Sequence, residues 1–365
     1  MKKIIFLLLL LLLSFAAYTQ IAAGAAQYHK YIPLLQGKRV GVTANHTSLI
    51  DGTHLVDALL QNGVNVVRIY APEHGFRGKA DAGASLSSTK DEATGLDIVS
   101  LYGKNHKPTP EQLQGIDCML FDMQDVGLRF FTYLSTLHYI MEACAEQGIP
   151  VIVLDRPNPN GHYVDGPILE PEHRSFVGMH PIPVVHGMTL GELAGMINGE
   201  RWLKNGLQCS LTVIPCTGYT HRSRYELPVK PSPNLPNMQA IYLYASLCFF
   251  EGTAVSLGRG TAFPFQVFGH PDFKGVYHFS FTPEAVEGAT NPPLKGRQCY
   301  GVDLRNFPQE QLRSEGRIRL EWLLNAYRHF QSKDKFFLPY FSKLWGTARI
   351  RQLIEQGATE AEIRA

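Results

Sequence analysis

RVGVTAN at residues 39–45, HLVDALLQNG at 54–63 and VNVVRIYAPEHG at 64–75 set the rhythm that decides the fold. The first and third stretches are nearly continuous apolar runs, and the one between carries a helical apolar face closed by Gly63. The same alternation returns in IDCMLFDMQ (116–124), TYLSTLHYIMEACAEQG (132–148) and IPVIVLDRPN (149–158). Apolar strands alternating with Gly-terminated helices predict an α/β fold with a mostly parallel sheet, covered by helices on both faces.

Working outward, the segment 80–112 is polar and Gly/Ser-rich, broken by LDIVSLYG at 96–103, and reads as an excursion beside a cleft. From Gly166 onward the chain becomes Pro-rich. Thr189 and Glu192 have capping-box spacing before an apolar helical face, LTVIP at 211–215 reads as a strand, and a core helix is expected from near Asn237 toward Glu251. A domain boundary is placed near residue 165, giving an N-terminal domain over 27–165 and a smaller C-terminal α/β domain over 166–365 that completes the cleft.

At the N-terminus, Met1, Lys2 and Lys3 precede the apolar run IIFLLLLLLLSFAA, the pattern of a secretory signal. The leader is assigned to residues 1–26, with the mature start between about residues 18 and 28, and no Cys follows the run to carry a lipid. An uncleaved anchor is the other reading. The expected location is the periplasm, with no stable membrane insertion of the mature chain. The formal charge of +2 includes both leader lysines, so the remainder is close to neutral. With no Cys/His finger spacing and only the mildly basic YHKYIPLLQGKR at 28–39, a nucleic-acid partner is excluded. The six Cys form no CxxC pair; Cys209 and Cys216 flank a strand and are either a local bridge or two separate thiols.

In open α/β sheets the ligand crevice lies beyond the carboxyl ends of the strands. The strand-ending loops TANHTS (43–48), PEHGFRG (72–78), DMQDVGLR (122–129) and DRPNPNG (155–161) therefore form a polar edge. PEHGFRG combines Glu73, His74 and Arg77 around a possible turn at Gly75. DMQDVGLRFFTY offers Asp122, Asp125, Arg129 and Tyr133, with Asp125 and Arg129 also at the spacing of a local helical ion pair. His180 and His186 flank a Pro-rich run, and with His74 and Asp155 would need tertiary contacts to hold a metal; their spacing supplies no metal motif. EGTAVSLGRGTAFPF at 251–265 places Glu251, Ser256, Arg259 and Thr261 among turn-forming glycines. It is neither a phosphate loop nor a dinucleotide fingerprint. No GxSxG elbow and no activated Cys setting is present, which leaves carboxylate acid/base chemistry. Glycoside hydrolysis needs a carboxyl proton donor and a second carboxylate, and Glu73 and Glu251 have the best loop contexts.

These strings resemble the NamZ family of exo-β-N-acetylmuramidases: ANHTS (44–48), APEHGFRG (71–78), FDMQDVGLRFFTY (121–133), LDRPNPNG (154–161), HGMTLGELA (186–194), PSPNLP (231–236) and EGTAVSLGRGTAFPF (251–265). They run in order through most of the chain. The resemblance implies a Rossmann-like N-terminal domain, a smaller C-terminal α/β domain and an active cleft between them. It also implies release of terminal β-linked N-acetylmuramic acid from the non-reducing end of peptidoglycan fragments. Glu73 corresponds to the family's leading catalytic Glu and becomes the expected proton donor. Glu251 is the expected base, nucleophile or positioning group, with His74 and Asp125 as alternatives. Asn45, Arg77, Asp122, Arg129, Tyr133, Asp155, His186, Ser256, Arg259 and Thr261 are expected to bind substrate, the arginines as partners for the lactyl carboxylate. The partners are muropeptides or peptidoglycan-derived sugars, and neither a cofactor nor a metal is expected. A periplasmic module that binds anionic sugars, and a metal-dependent hydrolase or amidase of wall fragments, are the alternative functions.

Overall fold

A computed structural model of the chain describes residues 20–72, 75–77, 89–103 and 105–365. Seven strands form the main sheet: β1 (Val40–Ala44), β2 (Val66–Ala71), β3 (Thr89–Lys90), β4 (Asp97–Ser100), β5 (Cys118–Asp122), β6 (Val151–Leu154) and β7 (Leu211–Ile214), in the order β3-β4-β2-β1-β5-β6-β7. Every pairing is parallel except β3 with β4. The register sets Val42 beside both Ile69 and Leu120.

Residues of β1, β5 and β6 are buried throughout, and their side chains alternate between two apolar layers. Leu120, Ile152 and Leu154 join the layer holding Leu55 and Leu59. Met119, Phe121, Val151 and Val153 join the other. Period-two alternation with both faces covered is what a parallel sheet between helical layers demands. Four helices position the site: α1 (Leu55–Gln61), α2 (Tyr133–Glu146), α3 (Leu190–Gly199) and α4 (Met238–Leu247). The capping box expected at Thr189 is formed in full, with Thr189 Oγ1 accepting from the Glu192 amide and Glu192 Oε2 accepting from the Thr189 amide. Asn237 caps α4, which continues as a 3₁₀ turn through Cys248–Gly252 and so delivers Glu251.

The C-terminal half adds a three-stranded sheet of β8 (Val267–His270), β9 (Phe279–Phe281) and β10 (Cys299–Asp303), ordered β8-β10-β9, with short helices around it. Its aromatic core is continuous with one face of the main sheet: Phe249, Phe341 and Trp345 belong to the same buried cluster as Met119 and Phe121.

Two expectations are corrected. The sheet takes up β7 at 211–214, so the boundary near residue 165 falls inside the sheet domain. The segment 80–112 is more than an excursion, because its apolar 97–100 stretch is a sheet strand paired with β2. Residues 22–26 pack against the sheet. Ala22 exchanges backbone hydrogen bonds with Thr217 at 2.9 Å, and Gly24 donates to Asp155 O at 2.7 Å. A Cβ on Gly24 would lie 2.2 Å from Ile214 O, which is why the chain there is glycine. Residues 1–19, with the apolar run, lie outside the described residues. Among those described, no helix is long and apolar enough to cross a membrane. All six Cys are free thiols, so Cys209 and Cys216 are not bridged.

Candidate active site

The strand order turns between β1 and β5, so the crevice opens where the loops after these strands diverge. Those loops are knit together by short polar contacts. Asn45 Oδ1 accepts from the Thr47 amide at 2.9 Å and from Thr47 Oγ1 at 2.6 Å, and the Gln124 amide donates to Thr47 Oγ1 at 3.0 Å. Ser48 Oγ donates to Asp122 O at 2.6 Å. Among the described residues Asn45 Nδ2, Gln124 Oε1 and Asp125 Oδ2 are buried and unpartnered. The next loop, after β2, carries Glu73 and His74, which lie outside the described residues; Pro72 O accepts from the Gly75 amide at 3.0 Å, with Gly75 at φ +74°.

Several residues expected at the substrate are occupied by the framework. Asp122 is wholly buried and bound by Arg156, with Nε to Oδ1 at 2.5 Å and Nη2 to Oδ2 at 2.8 Å. Asp155 accepts from Thr189 Oγ1 at 2.7 Å and from the Gly191 amide at 2.8 Å, fastening the start of α3. Burial pushes its carboxyl up to about 6. Arg129 is also wholly buried and not helical. Its Nη1 donates to Pro167 O and Ile182 O, and its Nη2 to Leu344 O and Trp345 O. The Asp125–Arg129 ion pair does not form, because Asp125 Oδ1 turns back to the Gly127 amide at 2.7 Å. Burial raises the Asp125 carboxyl to about 7. His186 is buried, accepts from the Met188 amide, and is held down to about 3 by burial and then by the Arg129 charge. Arg77 binds Asp91 through two hydrogen bonds of 3.1 and 2.8 Å and lies over the Phe76 ring. Ser256 is buried in a turn, accepting from the Gly258 amide, and Thr261 Oγ1 donates to Gly258 O.

Glu251, Arg259 and Tyr133 remain, and they meet. All three line a cavity of about 190 Å³ together with Tyr102, Phe176 and Tyr340. Arg259 closes on one carboxylate oxygen, with Nε 2.6 Å and Nη2 2.5 Å from Glu251 Oε1. The Cys248 thiol faces Oε2 at 3.7 Å, and burial, then the Glu251 charge, hold it as a thiol by raising its pKa well above the ordinary value. Tyr244, Cys248 and Glu251 fall at i, i+4 and i+7, so one helical face presents all three. Arg259 also lies over the Phe265 ring at 4.9 Å. Among the described residues its Nη1 donates to nothing. Tyr133 Oη donates to Pro231 O at 3.1 Å, tying the cavity wall to the PSPNLP string. A second cavity of about 570 Å³ shares Glu251, Arg259 and Tyr340 with the first, and includes Ser256 in its wall.

Tyr102, Phe176, Tyr244, Cys248 and Tyr340 were missed from the sequence. The Tyr244-Cys248-Glu251 spacing was a usable signal; Tyr102, Phe176 and Tyr340 sit in segments with no local one. Among the described residues no three His, Cys, Asp or Glu side chains converge to hold a metal ion.

The sequence profile described as "Exo-beta-N-acetylmuramidase NamZ, N-terminal" matches residues 40–239, and the corresponding C-terminal profile matches 242–365. The chain belongs to the NamZ family. Its N-terminal NamZ unit therefore includes β7 and runs to the start of α4, consistent with the sheet pairing. The chain is 39% identical over 363 residues to the peptidoglycan β-N-acetylmuramidase NamZ of Bacillus subtilis (strain 168), a match covering 91% of this chain and 84% of that protein. Among solved structures, a DUF1343 family protein (BF0379) from Bacteroides fragilis NCTC 9343 is 50% identical with a TM-score of 0.88, covering 94% of this chain and 93% of that one. A second from the same organism (BF0371) is 29% identical with a TM-score of 0.77 and covers 94% of each chain. These neighbours share the NamZ architecture of a mostly parallel sheet and a smaller second α/β unit.

Proposed function

We propose that this chain is an exo-acting β-N-acetylmuramidase, a glycoside hydrolase that releases terminal N-acetylmuramic acid from the non-reducing end of peptidoglycan fragments, working in the periplasm after export. The observation that carries this reading is the Glu251–Arg259 pair, set where two cavities meet in a chain that matches the NamZ family through both halves. A carboxylate with a guanidinium on Oε1 and a thiol aimed at Oε2 suits the base, nucleophile or charge-stabilising role better than that of proton donor. Glu73, on the loop after β2, is assigned the proton transfer to the glycosidic oxygen, with His74 beside it.

Of the three arginines expected at the lactyl carboxylate, Arg259 lines the described cavity, and among the described residues its Nη1 is uncommitted. A planar guanidinium can serve Glu251 and a substrate carboxylate at once.

The test is hydrolysis of a chromogenic β-N-acetylmuramide beside the matching β-N-acetylglucosaminide. The wild-type chain is expected to cleave the muramide selectively, and Glu73→Gln to abolish turnover while folding normally. Loss of one charge-assisted contact at about 1.5–3 kcal/mol predicts a ~10–100-fold fall in that selectivity for Arg259→Gln. A folded wild-type chain that binds muramide without releasing product would make it a binding protein, and amide cleavage in place of glycoside cleavage would make it an amidase.

A further inference from the structure

We infer that the larger cavity is the site for the leaving saccharide, the sugars beyond the scissile bond, and that its far wall sets the preference for chain length; this rests on the muramidase reading above. The two cavities differ in kind. The smaller has a buried floor of Phe130, Phe131, Tyr244 and Cys248, which leaves the chain no onward path and fits the terminal sugar of an exo-acting enzyme. The larger, at about 570 Å³, falls within the range of ~300–1,000 Å³ typical of ligand pockets and is lined, besides Glu251, by Thr290, Pro292, Pro293, Leu294 and Leu338. Because Glu251, Arg259 and Tyr340 belong to both, a glycosidic bond lying across Glu251 has its terminal residue on one side and its leaving residue on the other.

The far wall is fixed rather than a loose loop. Gly288 sits so close to Pro233 that a Cβ would lie 2.6 Å from the proline ring, and Asn234 Nδ2 donates to Gly288 O at 3.0 Å. Gly260 packs equally tightly on Pro292, a Cβ there reaching 2.5 Å, and Gly260 O accepts from the Glu284 amide at 2.8 Å. The PSPNLP string and the glycines of the EGTAVSLGRG string thus both buttress the 284–294 segment. Leu338 also lines this cavity and is exposed. Apolar rims with few polar groups suit the C–H faces of pyranose rings, whose hydroxyls point outward to water.

Thr290 and Leu338 are exposed and outside the Glu251–Arg259 machinery, so changes there leave the fold intact. Steady-state kinetics on the mature chain would compare an aryl β-N-acetylmuramide, whose leaving group is one small ring, with a tetrasaccharide fragment ending in N-acetylmuramic acid. Thr290→Trp, which fills the groove, is expected to raise KM for the tetrasaccharide about tenfold or more, and Leu338→Asn to raise it in the same direction. KM for the aryl substrate and kcat for both should stay within about twofold of wild type. Equal effects on the two substrates would place the terminal sugar in the groove and overturn the assignment, as would no effect on either. A wild-type chain inactive on both substrates would instead overturn the muramidase reading, and the groove's role with it.

Discussion

Arg129 and Arg259 both sit in family-like strings, and packing gives them opposite work. Arg129 holds the carbonyls of Pro167, Ile182, Leu344 and Trp345, joining the loop before the main sheet's last strand to the C-terminal helices. Its burial lowers the guanidinium to about 10, with no carboxylate paired to it among the described residues. Arg129→Met would strand these carbonyls at about 1–3 kcal/mol for a buried unsatisfied group. The expected outcome is a loss of at least ~3 kcal/mol in urea unfolding, with the muramide-to-glucosaminide preference unchanged in the folded fraction; a changed preference would return Arg129 to the substrate. Asp125 supplies a pH test. Its carboxyl is raised to about 7 in the fold, against an ordinary value near 4, so between these pH values the folded state keeps a proton that the unfolded chain has lost. Its contribution is therefore complete below about pH 4 and lost as pH rises through 7. His180 and His186, both held near 3 by burial, act in the other direction, costing stability as pH falls from about 6.5. Asp125→Asn removes only the first effect. Relative to wild type, the variant should gain on the order of 1–4 kcal/mol between pH 4 and 7, read from urea midpoints at each pH.

At the level of elements, α2 does more than cover the sheet. Ser135, His138, Glu142 and Glu146 form one polar stripe on it. Ser135 Oγ donates to Phe176 O at 2.7 Å, and His138 Nδ1 meets His180 Nε2 at 2.9 Å. Lys107 Nζ binds Glu142 at 2.7 Å and Glu146 at 2.8 Å, while Glu142 also accepts from the Lys204 amide. The stripe fastens both loops that bring Tyr102 and Phe176 to the smaller cavity, where the two rings sit 6.3 Å apart, edge to face. Lys107→Met leaves the buried Glu142 short of its cation. A loss of about 1–3 kcal/mol in unfolding free energy is expected, with KM raised and largely restored by Lys107→Arg. An unchanged KM in Lys107→Met would show that the stripe serves stability alone.

Across the whole molecule, the N-terminus and the sheet depend on each other. Ala22 pairs with Thr217 just beyond β7, and Tyr31 Oη donates to Ala25 O at 2.8 Å. Cleavage at 26 would take this pairing with it, so if a leader is removed the processed chain is expected to begin at or before Ile21, which intact mass measures; a start at Gln27 would refute it. The sequence by itself determined the α/β class, the parallel sheet, the Thr189 capping box, the α4 start at Asn237 and the polar edge, because each rests on local periodicity or on bonds between near neighbours. The 97–100 strand was hidden by its polar surroundings, and the place of β7 by the long connection before it. Only the tertiary structure decided that Arg259, and not Arg129 or Arg77, faces the cavity, that Asp122 and Asp155 are spent on Arg156 and α3, and that Tyr102, Phe176 and Tyr340 share a wall with Glu251. Those outcomes depend on burial and on partners far apart in the chain, and a motif records which side chains are present without recording what they touch.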